Sequence, residues 1–330
     1  MDVLPSPAFH PGMDYRCRCV AIPVIDMESW NTRTVIPLNE VKPNKAMELQ
    51  NEEDSYKIKV DKDIHIYQKL DKYGDDVVNI INKADVRYRR VWGLLQKDLR
   101  IAKTDSKGTA YFSPMYRSIS FNLADTAKGN SWKQPFTTYF HESGHNIDFI
   151  ANELIGSGTA LQPLSYTYSD NLLGETIAQE INEHLEEIAK KIKNEFKTHK
   201  GDWEYLFSKG YIDERAMLEY RSFGKFTVTP RYKKSLSYKA FSDELQAIPA
   251  KDRSCISDLA GGVTGNKVKG HIGHKTTYWA NERNLSTEAF AEFWQAITNK
   301  KELKVIKKYL PRSYNVFLEI LDKIIREVNL

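Results

Sequence analysis

Residues 140–148 of the chain read Phe-His-Glu-Ser-Gly-His-Asn-Ile-Asp and contain the pattern His-Glu-x-x-His. The apolar spacing around this pattern predicts a helix from about Ser131 to Asn152. Because residues four apart lie on the same helix face, His141 and His145 can both reach one Zn²⁺ at ~2.0–2.1 Å. Glu142 lies one position further round the helix, where its carboxylate can hold and deprotonate a water molecule. The pattern therefore predicts two metal ligands and a general base.

One glycine and the order of the elements bear on whether this pattern is a metal site. Five-residue patterns of this kind also arise by chance, and solvent-facing His-Glu pairs are common on helices. Gly144 costs about 1 kcal/mol relative to Ala in a helix interior, which indicates that another backbone or a substrate approaches the helix there. Two strand-like segments, Tyr111-Phe112 and Ser118–Leu123, precede the helix in the order that is typical of zinc proteases. These features favour a metal site over a chance pattern.

The third zinc ligand is not fixed by spacing alone. A catalytic site takes three protein ligands and leaves a fourth position open. Residues 286–294 predict a helix on which Glu288 and Glu292 share one face, either as a ligand and a support for a histidine or as a solvated acidic pair. Asp148, three residues past His145, can serve as a ligand or as the partner of an imidazole. The remaining candidates are Glu175, Glu180, His271 and His274.

The composition is that of a globular protein. The 330 residues include 48 Lys and Arg against 44 Asp and Glu, and 41% are hydrophobic, which excludes a disordered chain. The near balance of charges gives no reason to expect a nucleic-acid partner. No run approaches the ~18 apolar residues of a membrane span, and the first twenty residues lack the apolar block of a signal peptide. The three cysteines do not form a disulfide framework, which favours a reducing compartment.

The sequence divides into two parts. Residues 1–53 have no sustained period and predict an extended linker. Residues 54–330 predict one α+β domain, mostly helical, with a small sheet before the His-Glu-x-x-His helix. Besides the segments above, the spacing predicts a strand at Tyr56–Val60 and helices at Asp75–Leu99, Glu175–Phe196 and the C-terminus. A glycine-rich loop at 261–273 is expected to bring His271, His274 and Tyr278 to the site.

Four segments resemble the catalytic domain of anthrax lethal factor and its relatives, a family of zinc metallopeptidases. They are residues 140–148, Glu288-Ala-Phe-Ala-Glu292, Glu302-Leu-Lys-Val and Tyr309-Leu-Pro-Arg-Ser-Tyr-Asn-Val-Phe317. The resemblance implies a zincin-like fold of the gluzincin type. It implies that the zinc ligands are His141, His145 and Glu288. It also implies Glu142 as general base, with Asp148 and Glu292 as outer carboxylates.

The same resemblance bears on the group that stabilises the transition state. Relatives have a tyrosine shortly before the ligand glutamate, thought to stabilise the tetrahedral intermediate. Tyr278 is the nearest match, with three extra residues between it and Glu288, and His274 is the competing residue. The interval from His145 to Glu288 is longer than in the toxin, which implies an inserted subdomain at about 156–277.

A second resemblance lies at the start of the sequence. His10-Pro11-Gly12, Cys17-Arg18-Cys19 and Ile22-Pro23 resemble the closing segment of the phage Mu F-like head-morphogenesis, or minor head, domain. It implies that residues 1–53 are a remnant of that domain. Phage head or portal components are then expected partners, and the bacterial cytoplasm or the virion is the expected location. A structural metal on His10, Cys17 and Cys19 is not favoured, because Cys-x-Cys lacks zinc-knuckle spacing.

The expected function is that of a zinc-dependent metalloendopeptidase acting on protein or peptide substrates. One alternative is a non-catalytic virion protein that retains a zincin fold, and another is a lethal-factor-like toxin or effector. The presence of both Glu142 and a plausible third ligand argues against the non-catalytic alternative, since a protein without turnover has no use for the base.

Overall fold

A computed structural model describes residues 56–156, 161–225, 227–270 and 273–328. The predictions for residues 1–53, including the Mu F-like segment, fall outside the described residues, as does His271. The described helices are α1 (His65–Leu70), α2 (Gly74–Asn82), α3 (Val86–Leu95), α4 (Leu123–Lys128), α5 (Thr137–Ile155), α6 (Leu164–Thr167), α7 (Leu172–Thr198), α8 (Trp203–Ser208), α9 (Glu214–Phe223), α10 (Pro230–Gln246), α11 (Ala250–Thr264), α12 (Arg283–Gln295), α13 (Lys300–Tyr309) and α14 (Pro311–Glu327).

The sheet is small and precedes the His-Glu-x-x-His helix, as expected. Its strands are β1 (Ile101–Lys103), β2 (Tyr111–Ser113) and β3 (Ser118–Ser120), in the order β1-β3-β2. β1 pairs with β3 in parallel, whereas β2 and β3 form an antiparallel hairpin. β2 therefore lies at an edge of this sheet. The ring of Phe112 on β2 lies 5.2 Å from that of Phe149, which fixes the edge strand beside α5. At this coarse level the predicted α+β class is confirmed.

Several predicted boundaries are wrong, each for a local reason. The helix predicted at Asp75–Leu99 is two helices, because the Asp85 side chain accepts the N–H of Arg87 and caps α3. Similarly, Asn122 caps α4, so the strand predicted to reach residue 123 ends at residue 120. The Asn130 side chain accepts two N–H groups in a turn, and α5 begins only at residue 137. Residues 56–60, predicted as a strand, are not paired in the sheet.

The glycine-rich segment is only partly a loop. Residues 261–264 complete α11, and Gly265 ends that helix with a φ of 59°. The loop expected at 261–273 thus begins only after α11. His274 and the 3₁₀ turn Tyr278–Ala280 follow it.

One hydrophobic core joins most of the described elements, from Ile58 to Ile324. Helices within the interval 156–277 contribute to this core. Phe241 on α10 and Leu259 on α11 belong to the main core. A small second core, built from α8, α9 and the turn between them, contains Leu206, Ile212, Ala216 and Met217. Within the described residues, no helix combines the length and the apolar character that a membrane span requires.

Candidate metal centre

The two histidines of α5 and a glutamate of α12 converge in space. Donor atoms of His141, His145 and Glu288 all lie within 4.8 Å of one another. The Nε2 atom of His141 lies 3.4 Å from Glu288 Oε2, and that of His145 lies 3.5 Å from Oε1. A tetrahedral zinc ion with bonds of ~2.0–2.1 Å holds its ligand atoms about 3.3 Å apart. These separations are compatible with ligands around a single small cation, and they are also within the range of His–Glu ion pairs.

The convergence depends on a close helix crossing at Gly144. A Cβ added at Gly144 would lie 2.9 Å from the Cα of Ala291 and 3.1 Å from the Cβ of Trp294. The close approach that the sequence indicated at this glycine is confirmed, and the approaching backbone is that of α12. Because Gly144 lies between the two histidines and Ala291 lies one turn after Glu288, the contact places the carboxylate against both imidazoles.

Burial and charge at this point favour a cation. Glu288 is only 2% exposed, and its Oε2 accepts no hydrogen bond from any described residue. Burial disfavours its charged form, yet the neighbouring His145 and His141 hold the pKa of Glu288 well below its usual value. Burial likewise disfavours a charged His145, but the charges of Glu288, Glu142 and Asp148 raise its pKa to about 9. A metal ion at this point would supply a ligand bond to a buried carboxylate oxygen that accepts no hydrogen bond from the described residues.

These side chains open onto a cleft of about 340 Å³. Its floor includes His141, Glu142 and His145, and the helix-α12 side contributes Arg283 and Glu288. Residues of the β2 region and α5 also line the cleft, namely Ala110, Tyr111, Phe112, Pro114 and Phe149. Glu142 is 7% exposed, so its carboxylate is shielded from bulk solvent but faces the space where a bound molecule would lie.

Both candidates for transition-state stabilisation lie in this cleft, and they touch each other. The Tyr278 hydroxyl donates to Glu288 Oε1, and the rings of Tyr278 and His274 stack with centroids 4.1 Å apart. Burial and the charge of Glu288 raise the pKa of Tyr278 far above its ordinary value, so the hydroxyl keeps its proton. Tyr278 begins a 3₁₀ turn, and the side-chain amide of Asn284 donates a 2.8 Å hydrogen bond to its backbone carbonyl.

Sequence reasoning missed Asp258, a residue of α11 that orients His274. Asp258 Oδ1 accepts the backbone N–H of His274 at 2.9 Å, and Oδ2 lies 2.8 Å from the ring Nδ1. The Nε2 edge consequently faces Glu288 Oε1, 4.0 Å away. Burial lowers the pKa of His274, but the hydrogen bond to Asp258 and the charge of Glu288 raise it overall, which favours a protonated Nε2. No spacing pattern marks Asp258, sixteen residues before its partner.

Asp258, His274 and Glu288 also form a second group of potential ligands within 4.8 Å. Their geometry differs from that of the first group. The 2.8 Å contact between Asp258 and His274 is a hydrogen-bond distance, shorter than the ~3.3 Å separation around a tetrahedral ion. The 4.0 Å separation of His274 Nε2 from Glu288 is longer than that separation. The first group therefore fits a tetrahedral ion better than the second does.

The two predicted outer carboxylates occupy different positions. Asp148 is fully buried and accepts hydrogen bonds from the backbone N–H and hydroxyl of Ser165, at 2.7 and 2.5 Å. Its burial, only partly offset by these bonds, raises its pKa to about 7. Glu292 Oε1 lies 3.9 Å from His141 Nδ1. Burial and the nearby acids, Glu302 first among them, raise the pKa of Glu292 well above its usual value.

The other candidates for the third ligand lie elsewhere. Glu180 is buried but accepts the N–H groups of Arg312 and Ser313, at 2.7 and 3.0 Å, and so caps helix α14. Glu175 is exposed on α7 and takes no part in either group of potential ligands. His271 falls outside the described residues. Of the described candidates, the structure thus brings Glu288, rather than Glu175 or Glu180, to the two histidines.

Comparisons with known proteins do not identify a family. No protein-family model matches the sequence, and searches of curated proteins and of solved structures find no significant match. The residues of the site and their geometry are therefore the observations from which a function can be argued.

Proposed function

We propose that the protein is a zinc-dependent metalloendopeptidase, and that its fold is of the zincin type. The observation that carries this proposal is the convergence of His141, His145 and Glu288 at separations close to those of zinc ligands, next to Glu142 in a cleft. Two histidines and one glutamate, with a further position facing the cleft, are a known ligand set of catalytic zinc in peptidases. When bound there, zinc would supply Lewis-acid activation of water and of the scissile carbonyl.

The chain's own side chains then supply the proton transfers. The carboxylate of Glu142 accepts a proton from the attacking water and delivers it to the nitrogen of the leaving amine. Two groups that can donate a hydrogen bond, Tyr278 Oη and the protonated form of His274 Nε2, lie near Glu288. They donate to the carbonyl oxygen as negative charge develops on it. Asp258 keeps the His274 ring in the orientation that this donation requires.

The part of the cleft that β2 lines suits an extended polypeptide. β2 is an edge strand of the sheet and lines the cleft with Tyr111 and Phe112. An edge strand can pair its backbone with an extended peptide, while adjacent apolar surface receives alternate side chains. Protein or peptide chains are therefore the proposed substrates.

The biological setting belongs to the same proposal and rests on the sequence. The segment at residues 10–23 that resembles a minor head domain supports a module of a phage minor head protein, located in the bacterial cytoplasm or the virion. Head or portal components are the proposed partners. A toxin or effector would use the same chemistry on other targets.

Metal content and proteolysis of paired variants test the proposal. The wild-type chain, purified without chelators, should carry about one zinc per molecule by elemental analysis and should hydrolyse casein or itself. Glu142→Gln should keep the zinc and lose hydrolysis, because the substitution removes only the base. His145→Ala should lose both. Zinc-free wild-type protein, or full hydrolysis by Glu142→Gln, would refute the proposal, and zinc binding without any hydrolysis would favour a non-catalytic virion protein.

A further inference from the structure

A second depression, larger than the cleft, lies on helix α10 and the segment that follows α11. It has a volume of about 750 Å³. We call it the basic groove; its charged lining residues are Arg231, Lys234, Lys239, Asp243, Lys267 and Lys269. Five cations and one carboxylate give a formal charge of +4 within one groove. The whole protein carries the same net charge of +4, so the remaining residues sum to zero. Positive charge is concentrated in this groove.

Most of these cations have no acidic partner. Lys239 pairs with Asp243 at 2.5 Å, and Lys267 lies over the ring of Tyr238 at 5.5 Å. Arg231, Lys234 and Lys269 form no ion pair with any residue that the structure describes. All five cationic side chains are exposed. A concave surface with several unpaired cations attracts a ligand that carries several negative charges.

The shape and the lining favour an acidic peptide over a nucleic acid. Single-stranded nucleic acids are bound by basic grooves that also offer free aromatic faces for stacking. The aromatic ring of this groove, Tyr238, already has Lys267 over it. Polar side chains of Ser235, Gln246 and Asn266 complete the lining and suit the backbone of a peptide. Along α10 the groove runs from residue 231 to 246, about 22 Å, which matches six or seven residues of extended chain.

The basic groove is joined to the metal site by one segment of chain. Asn266 lines the groove, and its amide donates to the backbone carbonyl of His274 at 2.9 Å. In the cleft itself, Arg283 is exposed and forms no ion pair among the described residues. Both depressions therefore include a cationic side chain that forms no ion pair with the described residues.

We propose that the basic groove binds an acidic stretch of a polypeptide, and that this stretch belongs to the substrate of the neighbouring site. The assignment of this stretch to the substrate rests on the proposed peptidase function. Binding of an acidic peptide to the groove can be measured independently of that function. Glutamate- or aspartate-rich segments are the chemistry that fits, held by point charges from lysine and arginine and weakened by salt.

Binding is tested with a fluorescein-labelled decapeptide of glutamate and the full chain carrying Glu142→Gln, read by fluorescence anisotropy. Reversing two charges in Lys234→Glu/Lys267→Glu removes two attractions and adds two repulsions, so the affinity should fall about tenfold or more. The matched control Lys62→Glu/Lys69→Glu reverses two exposed lysines of the N-terminal part of the domain and should change affinity by less than about twofold. Raising the salt concentration should weaken binding.

Three results would overturn the groove proposal. They are no binding of the acidic peptide, equal binding by the groove variant and its parent, and tighter binding of a ten-nucleotide oligothymidine that is lost in the groove variant. Measuring peptide hydrolysis distinguishes a failure of the groove proposal from a failure of the proposed peptidase function. Cleavage of a neutral peptide without acidic-peptide binding refutes the groove alone. Acidic-peptide binding through the groove with no hydrolysis by the wild-type chain refutes the peptidase and, with it, the assignment of the bound stretch to a substrate.

Discussion

Replacing Gly144 by alanine should separate metal affinity from fold stability. The added Cβ would lie 2.9 Å from Ala291 Cα, 3.1 Å from Trp294 Cβ and 3.4 Å from Ala291 Cβ. Carbon atoms in ordinary contact lie about 3.5–4.0 Å apart, so α5 and α12 must separate by roughly 0.5–1 Å. All three contacting atoms are backbone or Cβ atoms that cannot rotate away. The strain therefore falls on the crossing that sets the position of Glu288.

The two consequences differ in size. Overpacking costs about 1–3 kcal/mol, while exchanging Gly for Ala in a helix interior recovers about 1 kcal/mol. The free energy of unfolding of the metal-free chain should therefore fall by only about 0–2 kcal/mol. Metal ligands, by contrast, tolerate displacements of about 0.2 Å. A shift several times larger should weaken zinc binding by about tenfold or more, equivalent to about 1.4 kcal/mol.

Zinc affinity is measured by competition with a chromophoric chelator, and stability by urea unfolding of chelator-treated protein. Gly74→Ala is the matched control, because its added methyl meets Tyr67 and Val60 side chains at 3.6–3.9 Å, an ordinary contact distance. This control should keep wild-type zinc affinity. If Gly144→Ala bound zinc like the wild type and gained about 1 kcal/mol of stability, helix propensity alone would act there and the reasoning from the crossing would be refuted.

Three further outcomes are expected. Asp258→Asn should keep zinc stoichiometry but lower kcat for peptide hydrolysis about tenfold or more, because His274 loses the charge that orients it; unchanged kcat would contradict that role. Tyr278→Phe and His274→Gln, combined in a double-mutant cycle on kcat/KM, should be non-additive because their rings stack, and strictly additive losses would show independent action. Glu180→Gln should lower the free energy of unfolding in urea by about 1–3 kcal/mol through weaker capping of α14, whereas the exposed Glu183→Gln should change it by less than about 1 kcal/mol.

Local periodicity was enough to predict the parts of the fold that depend on neighbouring residues. The apolar spacing of α5, α7 and α14 indicated each helix, because a helix on a core must present one apolar face. The predicted boundaries were wrong where a single polar side chain caps the start of a new helix, as at Asp85 and Asn122. Capping of this kind depends on a single side-chain hydrogen bond, and the spacing of apolar residues does not indicate it.

In the site as well, local sequence predicted some residues, whereas others depend on long-range contacts. His141, Glu142 and His145 follow from one local motif, since helix geometry alone places them together. The position of Glu288 depends on a contact between residues 144 and 291, nearly 150 positions apart, and spacing offers no measure of it. Only the cost of a glycine inside a helix indicated that something approached. Asp258 gave no signal, because its function lies wholly in a tertiary hydrogen bond.

The burial of so many acids around the histidines also bears on whether the site has a use. Five acidic side chains near His141 and His145 are each less than 9% exposed: Glu142, Asp148, Asp258, Glu288 and Glu292. Burying a carboxylate costs several kcal/mol unless a partner compensates, and replacement of buried charges by apolar groups is often neutral or stabilising. A scaffold that only packs against other proteins would gain stability by such replacements. A cation bound between the two helices would offset part of this cost, because Glu288 Oε2 accepts no hydrogen bond from the described residues and has the imidazole of His141, 3.4 Å away, as its neighbour.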